Sequence, residues 1–193
     1  MKKGYLVVLS APSGTGKTSI CKELLKRNKK WKFSISATTR GRRSDEKDGV
    51  DYFFMSKEKF NHQLKFGEFL ESEWVHGYQY GTLIAPVEEF LDNNEIVILD
   101  VDVKGGYNIK DEFEDSVISI FIEPPGENVS DQLLVLEERL TKRGNENSTL
   151  IKQRLRRFES EMNFKKRFDH HFINDNFDKV VDRIEKTIKE IIK

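Results

Sequence analysis

Gly16, Lys17 and Thr18 close the stretch Leu6 to Ile20, and their types and spacing point to the chemistry of an anion. The phosphate-loop template G-x-x-x-x-G-K-[ST] is met at Gly16, Lys17 and Thr18, while Ala11 stands where the first Gly belongs. Between them, Ser13, Gly14 and Thr15 supply backbone N–H groups that glycines at 14 and 16 allow to curl inward around an anion, while Pro12 has none to give. A helix beginning at Lys17 adds unpaired N–H groups and the positive end of its dipole. Lys17 brings a mobile charge for outer phosphates, and the Thr18 hydroxyl is a hard ligand suited to Mg²⁺.

Three arginines, Arg40, Arg42 and Arg43, fall within four positions on an aperiodic stretch that follows the hydroxyls of Ser36, Thr38 and Thr39. Two readings stand at this point: a solvated charged loop, or a bidentate clamp for a second phosphate. Asp100 ends a buried apolar run, as a Walker B acid does, and Asp102 lies two residues on, where a strand would point it the same way. Arg139, Arg143 and Arg154 stand among many acids between Val129 and Lys166, which reads either as a solvated helical hairpin or as a mobile lid carrying arginines to a phosphate. Cys21 alone excludes a disulfide framework and a cysteine metal cluster, and it reads as a small buried helix residue. His62, His76, His170 and His171 fall outside every motif.

Positioning these groups requires a sheet. Leu6–Leu9, Glu95–Asp100 and Ser116–Ile122 are near-continuous apolar runs of the kind that central parallel strands show. Helical patterns separate them, which implies βαβ crossovers with ligands outside the strands' carboxyl ends. Alternation predicts strands at Phe33–Ser36, Val50–Phe54 and Phe69–Val75, with Glu71 and Glu73 on the face opposite Leu70, Ser72 and Trp74. Ser56 is expected to cap a helix to Leu64, Gly77–Thr82 to form a turn, and Thr82 to cap a helix to Asp92 with Pro86 in its second turn. Phe172–Asp175 reads as a last short strand, and Phe177–Ile192 as an amphipathic helix closing the core.

At 193 residues the chain is sized for one compact unit. Lys plus Arg equals Asp plus Glu at 33 each, so the usual charge footprint of a nucleic-acid binder is missing. No run approaches the ~20 apolar residues of a membrane span. A soluble, cytoplasmic protein with no obligate protein partner is expected.

Taken together the motifs resemble guanylate kinase, of the nucleoside monophosphate kinase group. The likeness rests on SAPSGTGKT (Ser10–Thr18), SATTRGRR (Ser36–Arg43), Glu46 with GVDYFF (Gly49–Phe54), FLE (Phe69–Glu71), YQYGT (Tyr78–Thr82), ILDVDVKG (Ile98–Gly105), ERLTKRG (Glu138–Gly144) and IND (Ile173–Asp175). It spans essentially the whole chain in order. It implies an α/β, three-layer P-loop NTPase fold with a central parallel sheet, an inserted NMP-binding subdomain and a helical lid. The core would comprise residues 1–33, 86–125 and 160–193, the GMP-binding subdomain 34–85 and the lid 126–159.

By the same resemblance, Ala11, Pro12, Ser13, Gly14, Thr15, Gly16, Lys17 and Thr18 bind ATP, with Mg²⁺ on Thr18 and on Asp100 through water. Arg40, Arg43, Tyr52 and Tyr80 match the grip on the acceptor phosphate, braced by Glu46. Ser36, Glu71, Thr82 and Asp102 match the readers of guanine, and Asn174 the end of a strand beside adenine. The catalytic charges become Lys17, Arg40, Arg139, Arg143 and Arg154, the last three matching lid and hinge arginines. Arg42 stands where the family has Pro, Thr82 where it often has Ser, and Lys104 where it has Gln, close enough to alter the hydrogen bonding of Asp102. The segment from Gly126 to Leu136 is longer than the family pattern.

The implied reaction is ATP-dependent phosphorylation of GMP and dGMP, in guanine nucleotide metabolism. The acceptor phosphate is already ionised near neutral pH, so the reaction needs charge neutralisation and in-line positioning in place of a general base. A non-catalytic interaction module of the same likeness would lose the loop or its lysine, and this chain keeps both. A kinase for another acceptor is opposed by Glu71 with Ser36.

Overall fold

The computed structural model describes residues 4–75, 77–142 and 148–193. The chain begins with β1 (Tyr5–Ser10), whose alternate residues serve two cores: Val7 and Leu9 face one, Leu6 and Val8 the other, all at 0% exposure. After the glycine loop come α1 (Lys17–Arg27), β2 (Lys32–Phe33), β3 (Ala37–Thr38), β4 (Phe53–Phe54), α2 (Lys57–Lys65), β5 (Phe69–Val75) and β6 (Tyr78–Leu83). Next follow α3 (Ile84–Asp92), β7 (Ile96–Asp100), α4 (Val103–Glu112), β8 (Val117–Glu123) and α5 (Val129–Lys142). The chain ends through α6 (Ser148–Leu155), α7 (Phe158–Met162), β9 (His170–Ile173) and α8 (Phe177–Ile191).

The main sheet has order β2-β7-β1-β8-β9 and is parallel at every pairing. Helices α1 and α8 cover one face through Ile20, Leu24, Val180, Val181, Ile184 and Ile188. Val87 of α3, Ile109 of α4 and Phe168 cover the other. This gives the expected three layers. β1 lies at the centre, with β7 and β8 on either side, so the loop leaving β1 emerges at the middle of the sheet's carboxyl edge, where ligands of such sheets bind. Among the described residues no helix is long and apolar enough to cross a membrane.

A second sheet, β4-β3-β6-β5, is built from residues lying between β2 and α3. Five local expectations change here. The strand predicted at Phe33–Ser36 is divided: Phe33 pairs with Ile98 on the main sheet, and Ala37 with Gly81 on the second. Ser34 to Ser36 carry the chain across the gap, and alternation registers a face without saying which sheet owns it. Of Val50–Phe54, Phe53 and Phe54 form the strand, preceded by a bridge from Asp48 to Tyr52. Tyr78–Leu83 is a strand of a hairpin turned at Gly77 (φ 85°), where a turn was expected. Thr82 therefore lies within β6 and caps nothing; Leu83 is the N-cap of α3, without a side-chain bond, and Pro86 falls in the first turn, where its missing N–H costs nothing. Ser56 does cap α2, accepting from the Lys59 amide.

Candidate active site

The loop between β1 and α1 is shaped by two left-handed glycines, Gly14 (φ 89°) and Gly16 (φ 100°). A Cβ on Gly16 would also stand 2.7 Å from Asn174 Nδ2. That amide donates to the Thr15 carbonyl at 2.7 Å, and Arg139 donates to the carbonyls of Thr15 (3.3 Å) and Asn174 (2.8 Å). The Thr15 amide and hydroxyl both bond the Pro12 carbonyl, which fixes the curl from within. Helix α1 then opens with no capping side chain and no acid in its first turn. Its first amides and positive dipole end are thus offered to an external anion.

Lys17 sits in that first turn, 2.6 Å from an Asp100 carboxylate oxygen and bonded to the Val101 carbonyl. Burial pulls its pKa down, but Asp100 more than restores it, so the net shift is upward. The lysine is charged at any working pH. Thr18 and Asp100 border the same space and are the hard oxygen donors beside the loop. Cys21, one turn further, is buried, and burial pushes its thiol well above the ordinary range.

Across the cleft, Arg40 is held in a fork by Glu46, with Nη2 to Oε1 at 2.6 Å and Nη1 to Oε2 at 2.9 Å. Its Nε donates to the Tyr80 hydroxyl at 3.2 Å, and the guanidinium carbon lies 5.4 Å from the centre of the Tyr52 ring. The Arg40 bonds hold the Glu46 carboxyl below its ordinary range. Burial raises the Tyr52 phenol, so it stays a neutral donor. Arg43 gives its backbone amide to Glu46 while its side chain reaches out, 68% exposed. Arg42 turns back to the Glu46 carbonyl. The Thr38 and Thr39 hydroxyls are spent on the Gln79 backbone and hold β3 to β6. Of the hydroxyls flanking the arginines, Ser36 alone borders the cleft.

Deeper in, β5 and β6 place Glu71 beside Thr82, whose hydroxyl donates to Glu71 Oε1 at 2.7 Å. Burial pushes the Glu71 carboxyl up to about 7, more than the Thr82 bond draws it back. Gly105 of α4 lets this acid fit, since a Cβ there would stand 2.5 Å from Glu71 Oε2. Asp102 proves to be the N-cap of α4: its Oδ1 accepts the amides of Lys104 and Gly105, and its Oδ2 is buried without a partner among the described residues. The Lys104 side chain leaves that acid alone and lies 3.9 Å from Glu73.

One cleft of about 860 Å³ joins these parts. It is bordered by Ala11 to Thr18, Ser36, Arg40, Arg43, Glu46, Tyr52, Glu71, Tyr80, Asp100, Asp102 and Arg154. Arg154 donates to the Ser13 hydroxyl at 2.8 Å. Thr82 stands behind Glu71, and Arg139 binds the back of the loop; neither is among the residues bordering the cleft. Arg143 lies outside the described residues. The cleft also takes in Arg157 and Glu161, which the motifs did not single out. Their spacing from Arg154, three and seven residues, is the available signal.

Comparison with known proteins agrees with this geometry. A family model described as "Guanylate kinase" matches residues 3–191. The chain is 41% identical over 189 residues to a guanylate kinase of Chlorobium chlorochromatii, covering 98% of this chain and 96% of that protein. It is 40% identical over 187 residues to a guanylate kinase of Thermotoga maritima, covering 97% and 87%. The crystal structure of guanylate kinase from Anaplasma phagocytophilum superposes with a TM-score of 0.77 at 27% identity, covering 98% of this chain and 87% of that one. A loop built for phosphate, a forked arginine and a buried carboxylate in one cleft, with a family match over nearly every residue, lead to one conclusion: the chain belongs to the guanylate kinase family, enzymes that phosphorylate GMP to GDP using ATP.

Proposed function

We propose that this chain moves the terminal phosphoryl group of ATP to GMP or dGMP, with the loop side of the cleft as donor site and the Arg40–Glu71 side as acceptor site. The observation that carries the reading is the part-buried pair Glu71–Thr82, with Glu71 bordering the same cleft as the Arg40 fork and Lys17. Guanine presents N1–H and the 2-amino group side by side, two donors for a carboxylate. Asp102 Oδ2, a buried acceptor without a protein partner among the described residues, suits a further donor of the same base. Adenine has an acceptor at N1 and no 2-amino group, which leaves these acids unpaired and disfavours AMP by about 10⁴.

Arg40, Arg43, Tyr52 and Tyr80 hold the acceptor phosphate in this reading, and Glu46 keeps the Arg40 fork aligned. Lys17 and the loop amides neutralise the donor phosphates, while Arg154, with Arg139 and Arg143 from the segment 126–159, closes the donor side. Residues 34–85 act as the acceptor subdomain on a core of residues 1–33, 86–125 and 160–193. Asn174 supports the loop from the adenine side. Thr18 and Asp100 supply the hard, few-ligand oxygen set that Mg²⁺ accepts when phosphates complete its shell. When bound, the cation supplies neutralisation of charge between the donor's outer phosphates. The acceptor oxygen is ionised without help, so no side chain is assigned as base. A cytoplasmic location is proposed on the ground that both substrates are held there.

The test is ADP release in the presence of ATP and each of GMP, dGMP, AMP, CMP and UMP. Turnover is expected with GMP and dGMP. Comparable turnover with AMP would overturn the role of Glu71.

A further inference from the structure

The segment α6–α7 carries its charges on the wrong side for a solvated hairpin. Ile151 and Phe158 are buried and fix which face turns inward. On that face Arg154, Arg157 and Glu161 are half-buried, at the spacing i, i+3, i+7, while Lys152, Gln153, Arg156, Glu159 and Ser160 are exposed. An inward stripe of charge is costly unless opposite charge meets it. Part of that charge is internal. Arg157 Nε lies 3.4 Å from Glu161 Oε1, and the Glu161 side chain is 12% exposed. Glu161 Oε2 is buried with no hydrogen-bond partner among the described residues. Burial raises this carboxyl, and the Arg157 charge, then the Ser13 amide, draw it back.

An acid at the rim of a site for polyanions repels the ligand unless its charge is spent on holding a cation. Here that cation is Arg157, which borders the cleft with Ser13 and with Arg154, itself bonded to the Ser13 hydroxyl. The ion pair engages the Nε edge of the guanidinium, and the remaining donors of the fork are not taken by a protein acceptor among the described residues. A fork fixed along one edge meets an anion with less loss of rotamer freedom than a free side chain. We propose that Arg157 is a further phosphate-contacting residue on the donor side of the transfer site, and that Glu161 is the positioning acid that aims it. The anion it takes is the phosphoryl group in transit between ATP and the acceptor. The inference rests on the functional reading above.

The experiment begins with wild-type turnover of ATP and GMP, then compares Arg157→Ala, Arg157→Lys, Glu161→Gln and the double variant Arg157→Ala/Glu161→Gln. Arg157→Ala is expected to lower kcat by about tenfold to a hundredfold, less than a fully enclosed transition-state donor, with KM for GMP nearly unchanged. Arg157→Lys, which keeps the charge and the fold, should fall between. Guanidinium chloride at about 20 mM, far below unfolding concentrations, should restore much of the kcat of Arg157→Ala and should not raise wild type, with NaCl at equal ionic strength as control. The double variant should not be rescued, because the carboxylate that captures the guanidinium is gone. A kcat for Arg157→Ala within twofold of wild type overturns the proposal. So does a loss that guanidinium leaves unrestored, or a rescue that survives Glu161→Gln. A wild type inactive on GMP would instead refute the functional reading, so the two failures stay distinct.

Discussion

The Thr82 hydroxyl donates to Glu71 Oε1 at 2.7 Å, and one such bond does not offset the burial that pushes this carboxyl to about 7. The acid is held ready for a ligand at a cost to the fold. Its folded pKa stands above the unfolded value of 4.5, so the folded state binds the proton more tightly. The resulting stabilisation is complete below about 4.5 and is lost as pH rises through about 7. Glu71→Gln removes that loss. The variant should be more stable than wild type by up to about 3 kcal/mol at pH ~8 and nearly equal at pH ~4.5, read by urea unfolding at the two values.

The same titration predicts how GMP is recognised. Two donors on guanine require the ionised carboxylate, so KM for GMP in wild type should fall as pH rises through about 7. A second limb, from the phosphate's own ionisation near about 6, belongs to the ligand and not to the protein. Initial rates across this range should show both limbs in wild type, and Glu71→Gln should keep the lower one alone. A wild-type KM flat between about 6.5 and 8 would refute an ionising acid at the base.

Gly105→Ala separates function from folding. The new Cβ would meet Glu71 Oε2 at 2.5 Å, the far end of a side chain, which swings away more cheaply than backbone moves. Position 105 lies inside α4, where Ala is favoured over Gly by about 1 kcal/mol. The variant should fold with a melting temperature near that of wild type, raise KM for GMP by about tenfold or more, and leave KM for ATP unchanged. Equal losses toward both substrates would place the damage elsewhere.

Arg40→Lys tests the fork. A lysine keeps one charge but cannot hold Glu46 with two parallel bonds, reach Tyr80 and face the Tyr52 ring together. KM for GMP should rise about tenfold to a hundredfold, with AMP no better a substrate, because base reading is separate from phosphate grip. Initial rates with both acceptors decide it.

Legibility along this chain followed the length and periodicity of each signal. The strand Leu6–Leu9 with its loop, the strand ending at Asp100 and the helix from Phe177 were readable because burial on both faces, or on one stripe, leaves a long unambiguous pattern. Thr82 misled because a hydroxyl before an apolar run suits a cap and a strand equally; its true partner, Glu71, is eleven residues away across a hairpin. Phe33 and Ala37 joined different sheets although their alternation is continuous. Asp102 showed its site position but not its work as the cap of α4. Arg157 and Glu161 were hidden because charges at helical spacing usually face water, and here Phe158 turns them inward.

Lys17→Ala carries two losses that can be taken apart. Lys17 and Asp100 stand 2.6 Å apart with side chains 18% and 15% exposed, so removing the lysine strands a largely buried carboxylate. Full burial would cost about 3–5 kcal/mol on breaking such a pair, and the remaining solvent contact reduces this to about 1–3. Turnover should fall by about 10³ or more, since Lys17 is the charge set in the first turn of α1 beside the loop amides that hold the donor phosphates. Lys17→Ala/Asp100→Asn relieves the stranded charge, so its melting temperature should return toward wild type while activity stays absent. Thermal unfolding and ADP release on both variants and on Asp100→Asn alone separate the effects: recovered stability with turnover well below that of Asp100→Asn marks Lys17 as chemically required, whereas turnover equal to that of Asp100→Asn would mean that the lysine serves only to neutralise Asp100.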